Sequence, residues 1–372
     1  MKTKITIVGL ERNPFNDVQF NALVEYGFDV KVIYTVKQKD TSNNTNWCEF
    51  DPIKYSYEYL TGLSLWRLFR GVYQGRQGVI LFIGYSSFCF LISMILCYGL
   101  RIVYLTFTDT PEIKRRNGFF RFVIRGIARW FAFHTSSGVL TTGAPGRRAL
   151  IELGCSPTRI VNFPYVPGSV GFVYSSCRSL PHEYELLKRI DGRPVIFYSG
   201  QMIYRKGLDN LLYVLKTLKN RRIPFYLLAE GNGPQKDLYF RLVQCFDIAD
   251  QVEFLGFSQS QEHARYLALS DIVVSPSRWE PWGNVIPEAM QIGKAVISSD
   301  SVASAADRII DGYNGMIFET DNVGSLCRKL EALLLDSDLR RQLSDNAKNT
   351  AESWFPDLNA VNLSTYLAEI SN

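Results

Sequence analysis

Two glutamates, Glu280 and Glu288, stand with seven residues between them in segment 275–293, SPSRWEPWGNVIPEAMQIG. A carboxylate only accepts hydrogen bonds and is repelled by phosphate, so this pair suits the hydroxyl groups of a sugar or ribose. The segment follows the strand-like run DIVVS and reads as a loop leading into a helix. Asn284 is placed to cap that helix, Pro287 falls in its first turn, and Gly293 stops it. Backbone N–H groups near Gly283, Asn284 and Val285 are then free for an anion. Carboxylates on either side of an anion-binding corner match a nucleotide sugar, whose diphosphate is flanked by hydroxylated rings. Among 36 acidic residues the spacing alone carries little weight, and the setting supplies it.

The elements that position this segment are legible in the periodicity. In the second half, PVIFYSG, IPFYLLAEG, QVEFLGF, DIVVSPS, KAVISSD and GMIFE are buried strand-like runs, each followed by a Gly, Ser or turn signal and usually by a helix. That is a doubly wound parallel sheet, in which ligands sit outside the carboxyl ends of the strands. The first half repeats the pattern with ITIVGL, FDVKVIYTV, VILFIGY, RIVYLTF, GVLTTG and IVNFPYV. Between 164 and 194 the pattern breaks into Pro, Gly and Ser around one charged surface helix, HEYELLKR. The fold class is α/β, with an N-terminal domain over 1–168, a linker over 169–193 and a C-terminal domain over 194–355. A length of 372 residues suits two such domains.

Composition excludes several classes. The chain is 47% apolar and 21% charged, an ordered globular profile, and a net charge of +5 does not argue for nucleic acid. Seven widely spaced cysteines lack metal-ligand spacing and suit a reducing compartment. The first apolar run is too short for a signal segment, which places the chain in the cytoplasm. Residues 79–100 carry no charge and are long enough to span a bilayer. Gly84, Tyr85, Ser86 and Ser87 interrupt them, so a buried strand–helix–strand crossover is the favoured reading. Segment 119–131, FFRFVIRGIARWF, spaces Arg121, Arg125 and Arg129 by four, just after Lys114, Arg115 and Arg116. Over 114–131 two readings stand open: a helix lying on an anionic membrane surface, and an ordinary amphipathic helix with a basic outer stripe. Of three histidines, His134 precedes a core strand and reads as structural, while His182 and His263 read as solvent-facing.

Segment 275–293, with its two glutamates, its EAM and its closing glycine, resembles the donor signature of retaining glycosyltransferases of the family 4 type. YSGQMIYRKGLDNLL resembles the family's Gly-Arg…Lys-Gly loop and AEGNGP its glycine turn, while VEFLGF and DGYNGMIF follow in the family's order. The resemblance covers roughly 195–319 and reaches the first half only in outline. It implies a GT-B fold, two facing Rossmann-like domains with an interdomain cleft, and a final helix over 356–372 crossing back to the first domain; Trp354 and Phe355 either pin that crossing or make a simple terminal core contact. By resemblance, Glu288 holds ribose hydroxyls, Glu280 the donor sugar and Lys206 the diphosphate. The amides of Trp282, Gly283, Asn284 and Val285 face sugar and phosphate, and Gly200, Gln201, Arg205, Gly231 and Phe257 complete the donor site.

The implied activity is transfer of a sugar, with retention, from a nucleoside-diphosphate sugar to a glycan or lipid-linked glycan acceptor in cell-surface polysaccharide synthesis. The one Asp-x-Asp, Asp336-Ser337-Asp338, lies well outside the donor segment 275–293, so no divalent metal or other cofactor is expected. Two departures from the family pattern stand out. Gln201 replaces an arginine, for which Arg205 either substitutes or is merely a solvated loop residue. A histidine common at the end of a first-domain strand is replaced in RIVYLTFTDTP by Thr108 or Asp109. Asp109 either orients the acceptor and takes its proton, or caps a helix before Pro111. A non-catalytic glycan- or nucleotide-binding protein and a sugar-nucleotide epimerase share the implied fold and are the alternatives.

Overall fold

A computed structural model describes residues 2–36, 52–60, 65–85, 87–111, 126–166 and 183–371. They divide into two compact units, one of residues up to 166 together with 355–371, the other of 183–354.

The first unit is a seven-stranded parallel sheet of β1 (Lys4–Gly9), β2 (Asp29–Tyr34), β3 (Ser56–Tyr59), β4 (Val79–Ile83), β5 (Tyr104–Thr108), β6 (Gly138–Thr141) and β7 (Ile160–Asn162). Their order is β3-β2-β1-β4-β5-β6-β7. Strands buried on both faces read as continuous apolar runs, as KITIVG and VILFI do. Ile5, Ile7, Leu81 and Leu105 point into one core, and Val8, Ile80, Phe82 and Tyr104 into the other. Each such side chain stabilises the fold by roughly 1.5–3 kcal/mol. The helix Pro14–Tyr26 begins where the Asn13 side chain accepts from the Phe15 amide at 2.9 Å.

The uncharged run 79–100 resolves into β4 and the helix Phe88–Gly99, whose 12 residues extend only about 18 Å at ~1.5 Å per residue. Phe90, Leu91, Met94 and Cys97 are buried. Among the described residues no helix is long and apolar enough to cross a membrane. The C-terminal helix Pro356–Ser371 packs Ala360, Leu363 and Tyr366 into the first unit's core. The Asn359 side chain donates to the Pro164 carbonyl at 2.7 Å. Trp354 is buried beneath the Arg308 guanidinium, whereas Phe355 is 61% exposed, contrary to its expected part in the crossing.

The second unit is a six-stranded parallel sheet of β8 (Val195–Ser199), β9 (Tyr226–Glu230), β10 (Val252–Gly256), β11 (Ile272–Ser275), β12 (Ala295–Ser299) and β13 (Met316–Phe318). Its order is β10-β9-β8-β11-β12-β13. Leu211, Leu215 and Leu218 of the helix Leu208–Asn220 and Leu330 and Leu333 of the helix Val323–Leu335 close one face over Ile196, Leu227, Val274 and Ile297. The helix Glu183–Ile190, read from sequence as a surface helix, buries Leu186 and Ile190, and Glu183 takes Arg265 in a two-pronged ion pair.

Candidate functional site

In the second sheet the strand order reverses between β8 and β11, with β9 and β10 to one side and β12 and β13 to the other. Loops leaving the carboxyl ends of strands beside such a reversal part, which leaves a crevice for a ligand. The loop after β8 carries Gly200, Gln201, Arg205 and Lys206, and the loop after β11 carries Glu280.

Two glycines let these loops meet. Gly207 has φ +68°, and a Cβ there would lie 2.0 Å from the Pro276 carbonyl oxygen, so only glycine brings the turn Tyr204–Lys206 onto the β11 loop. Gly231 has φ +128°, and a Cβ there would lie 1.9 Å from the Gly200 carbonyl oxygen. Gly200 in turn donates to the Glu230 carbonyl at 3.1 Å and Met202 to Asn232 at 2.9 Å. Arg278 fastens the same junction through Asp209 at 2.8 and 2.7 Å and the Tyr204 carbonyl at 2.6 Å. Its hydrogen bonds to Asp209 hold its pKa above the usual arginine range despite burial.

At this junction Lys206 Nζ forms a short ion pair with Glu280 Oε2. Arg205 Nη1 reaches the same oxygen at 3.1 Å and donates to the Trp279 carbonyl at 2.7 Å. Glu280 is 10% exposed, Lys206 17% and Arg205 34%, so the cations line the mouth and the carboxylate the floor. Two cations against one carboxylate leave one positive charge over, which suits an anion. Arg205 is thus paired with Glu280 and partly covered, while Gln201 is exposed.

The loop 280–283 is tied to the segment after β12: Glu280 donates to Ser301 at 3.0 Å, Ala303 to Glu280 at 3.1 Å and Ser304 to Trp282 at 2.8 Å. Among the described residues the amides of Trp282, Gly283 and Asn284 donate to no backbone carbonyl. The Trp282 ring is buried near Arg308. The helix Val285–Gln291 begins where sequence put it, but Asn284 has helical backbone angles and its side chain makes no cap bond, contrary to expectation. A side-chain cap forms from an extended backbone, which Asn284 does not have. Phe257, after β10, is 43% exposed, and Gly231 donates to Gly256 at 2.7 Å.

Glu288 is buried on that helix and leads to a group that sequence did not reveal. His263, expected to face solvent, lies between two carboxylates: Nδ1 is 2.6 Å from Glu230 Oε2 and Nε2 is 3.2 Å from Glu288 Oε2. The Ser199 hydroxyl donates to Glu230 Oε2 at 2.6 Å, and the Phe197 ring stands edge-on to the imidazole. Burial lowers the His263 pKa, but the charge of Glu230 and the hydrogen bonds to Glu230 and Glu288 outweigh it and hold it well above the ordinary value. Burial raises Glu230, and the imidazolium and hydroxyl donors bring it below the ordinary value. A polar helix with one histidine gave no sign of this. The acidic residue ahead of the glycine turn in AEGNGP, at the end of an apolar strand, was the available signal.

Asp109 stands in the first unit at the carboxyl end of β5 and is not a member of this group. Its carboxylate engages Tyr165, whose pKa is raised by burial and further by the charge and hydrogen bond of Asp109. His134 is exposed rather than part of a core, and its carbonyl accepts from Arg159 at 2.8 Å. His182 and the basic residues of 114–125 lie outside the described residues.

Comparison with known proteins bears on the second unit and on the fold. Residues 185–350 match the family model described as glycosyl transferases group 1. The chain is 28% identical over 173 residues to the uncharacterized glycosyltransferase YqgM of Bacillus subtilis, covering 46% of this chain and 48% of that protein. It is 29% identical over 163 residues to the lipopolysaccharide core biosynthesis glycosyltransferase LpsE of Rhizobium meliloti, covering 44% and 46%. The matched stretch thus spans about half the length of these curated relatives. The crystal structure of Anabaena HepE in complex with UDP superposes with a TM-score of 0.76 at 16% identity, covering 99% of this chain and 100% of that one. The chain has the GT-B fold of two Rossmann-like domains, and the stretch of its second unit over 185–350 is similar to the glycosyl transferases group 1.

Proposed function

We propose that the protein transfers a sugar from a nucleoside-diphosphate sugar to a glycan or lipid-linked glycan acceptor, with retention at the anomeric carbon and without a divalent metal. The observation that carries this reading is the convergence of Lys206 and Arg205 on Glu280 at the strand reversal of a domain similar to group 1. The surplus positive charge faces a diphosphate, and Glu280 is released from one cation to accept from donor sugar hydroxyls. The unengaged amides of Trp282, Gly283 and Asn284 add donors for charge developing on the leaving diphosphate. Glu288 takes the ribose hydroxyls. The HepE complex with UDP and the lipopolysaccharide role named for LpsE favour a nucleotide donor and a glycan acceptor.

No side chain of the group is a nucleophile free to form a covalent intermediate. The reaction is a same-face displacement through an oxocarbenium-like state, in which a donor phosphate oxygen takes the acceptor's proton. The protein's part is positioning, charge stabilisation and exclusion of water. Asp109 is assigned to the acceptor, and 114–131 to contact with an anionic membrane surface at the inner face of the cell membrane.

The test is transfer of labelled sugar from uridine, guanosine and adenosine diphosphate donors to lipid-linked glycans, with product configuration read by NMR. An α-linked product from an α-linked donor, formed equally in the presence of a chelator, is expected. Epimerised donor formed without acceptor, or loss of activity to chelator with recovery on manganese, would overturn the reading.

A further inference from the structure

We propose that His263 is a positioning residue of the donor site, bridging Glu230 and Glu288 so that the Glu288 carboxylate is set for nucleoside hydroxyls. This rests on the donor-site reading of Glu288 above.

Three elements converge on the imidazole. His263 lies on the helix Ser260–Leu269, Glu230 ends β9, and Glu288 lies on the helix that follows β11. At 2.6 Å from Glu230 and 3.2 Å from Glu288, both ring nitrogens face acceptor-only carboxylate oxygens. Only the doubly protonated ring donates to both; a neutral ring would set one lone pair against a carboxylate oxygen. Glu230 is itself anchored, because its Oε2 also accepts from Ser199 at 2.6 Å. The chain of contacts therefore runs from a fixed strand end, through the ring, to Oε2 of Glu288. With that oxygen pinned, the orientation of the carboxylate is determined.

Among the described residues, the ring's hydrogen-bond partners are these two carboxylates. β8 contributes the Phe197 ring and Ser199, and on the ring's own helix Arg265 is turned to Glu183. The charged groups facing His263 are Glu230 and Glu288. Two carboxylates with an imidazolium carry a net charge of −1, against −2 with a neutral ring, and the smaller charge is the better neighbour for an anionic donor. Both the orientation and the charge of the ribose-binding carboxylate then depend on one proton.

The discriminating measurement is the ratio of dissociation constants for a 2′,3′-dideoxynucleoside diphosphate and its ribonucleoside diphosphate, by calorimetry with uridine, guanosine and adenosine forms. A general loosening of the fold weakens both ligands together, whereas misplacement of Glu288 weakens only the one with ribose hydroxyls. In the natural chain the ribonucleotide is expected to bind about tenfold or more tighter. In His263→Leu and His263→Gln the ratio is expected to fall toward one with dideoxynucleotide binding retained. The natural chain needs no substitution for a second readout: its ratio should decline as pH rises through the folded-state value of His263, which lies well above the ordinary one, and the ring loses its proton. A folded His263→Leu with the natural ratio, or a ratio flat with pH, would overturn this role while leaving the nucleotide site standing. A natural chain that binds none of the diphosphates would overturn the donor-site reading and this inference with it.

Discussion

Glu280 holds two cations on one oxygen, and each of the two cations has a separable consequence. Lys206→Ala removes the less exposed cation and is expected to lower kcat/KM for transfer by about ten- to a hundredfold, the equivalent of about 1.5–3 kcal/mol for a charge-assisted contact. Arg205→Ala, more exposed, should cost less. Equal donor turnover in Lys206→Ala and the natural chain would remove the lysine from the site. The Glu230–His263 pair makes stability depend on pH in two directions. A raised histidine pKa stabilises fully below about pH 6.5 and is lost as pH rises through the folded value; a lowered glutamate pKa stabilises above about pH 4.5 and is lost as pH falls through the folded value. Urea midpoints should therefore hold between these limits and decline on the alkaline side. His263→Leu should lack that decline, and an identical decline in the variant would refute the linkage. Glu280, Glu288 and Lys206 were legible because they sit in a compact segment or turn whose neighbours define the context. His263 was not, because its partners come from residues 230 and 288, and no local pattern encodes a contact across those separations.

At the scale of elements, the site exists because loops from neighbouring strands interlock without side chains at two points. Gly207→Ala places a methyl group against the Pro276 carbonyl in a left-handed backbone, and Gly231→Ala does the same against Gly200. Each is expected to cost about 2 kcal/mol or more, lowering the melting temperature of the second unit by roughly 4–8 °C. Scanning calorimetry checks this; an unchanged transition in either variant would show that the loops move apart easily. Buried parallel strands were legible as apolar runs bounded by glycine or serine, from ITIVGL through GMIFE. The edge strand β3 was not, since in SYEY no residue is fully buried and the apolar run that marks a central strand is missing. The helix Glu183–Ile190 read as a surface helix because its charges dominate the sequence, yet one of them, Glu183, is buried by pairing with Arg265.

At the scale of the molecule, the chain returns at its end to the unit where it began. Removing 356–372 would uncover the helix Pro14–Tyr26 and β7, against which this segment packs in the first unit, while leaving the second unit's core untouched. The truncated chain is expected to lose the first unit's unfolding transition and keep nucleoside diphosphate binding, read by calorimetry; loss of both would show that the second unit does not hold its site alone. Anionic vesicles at low salt should bind the full chain and neutral ones should not, and indifference to both would remove the membrane assignment of 114–131. The donor site is the claim on which the rest depends. Its most direct test is calorimetric binding of uridine, guanosine and adenosine diphosphate sugars to the natural chain and to Glu288→Gln. The account predicts that one nucleotide class binds and that Glu288→Gln weakens it by about tenfold or more. Binding of none, or equal binding to both proteins, would contradict it.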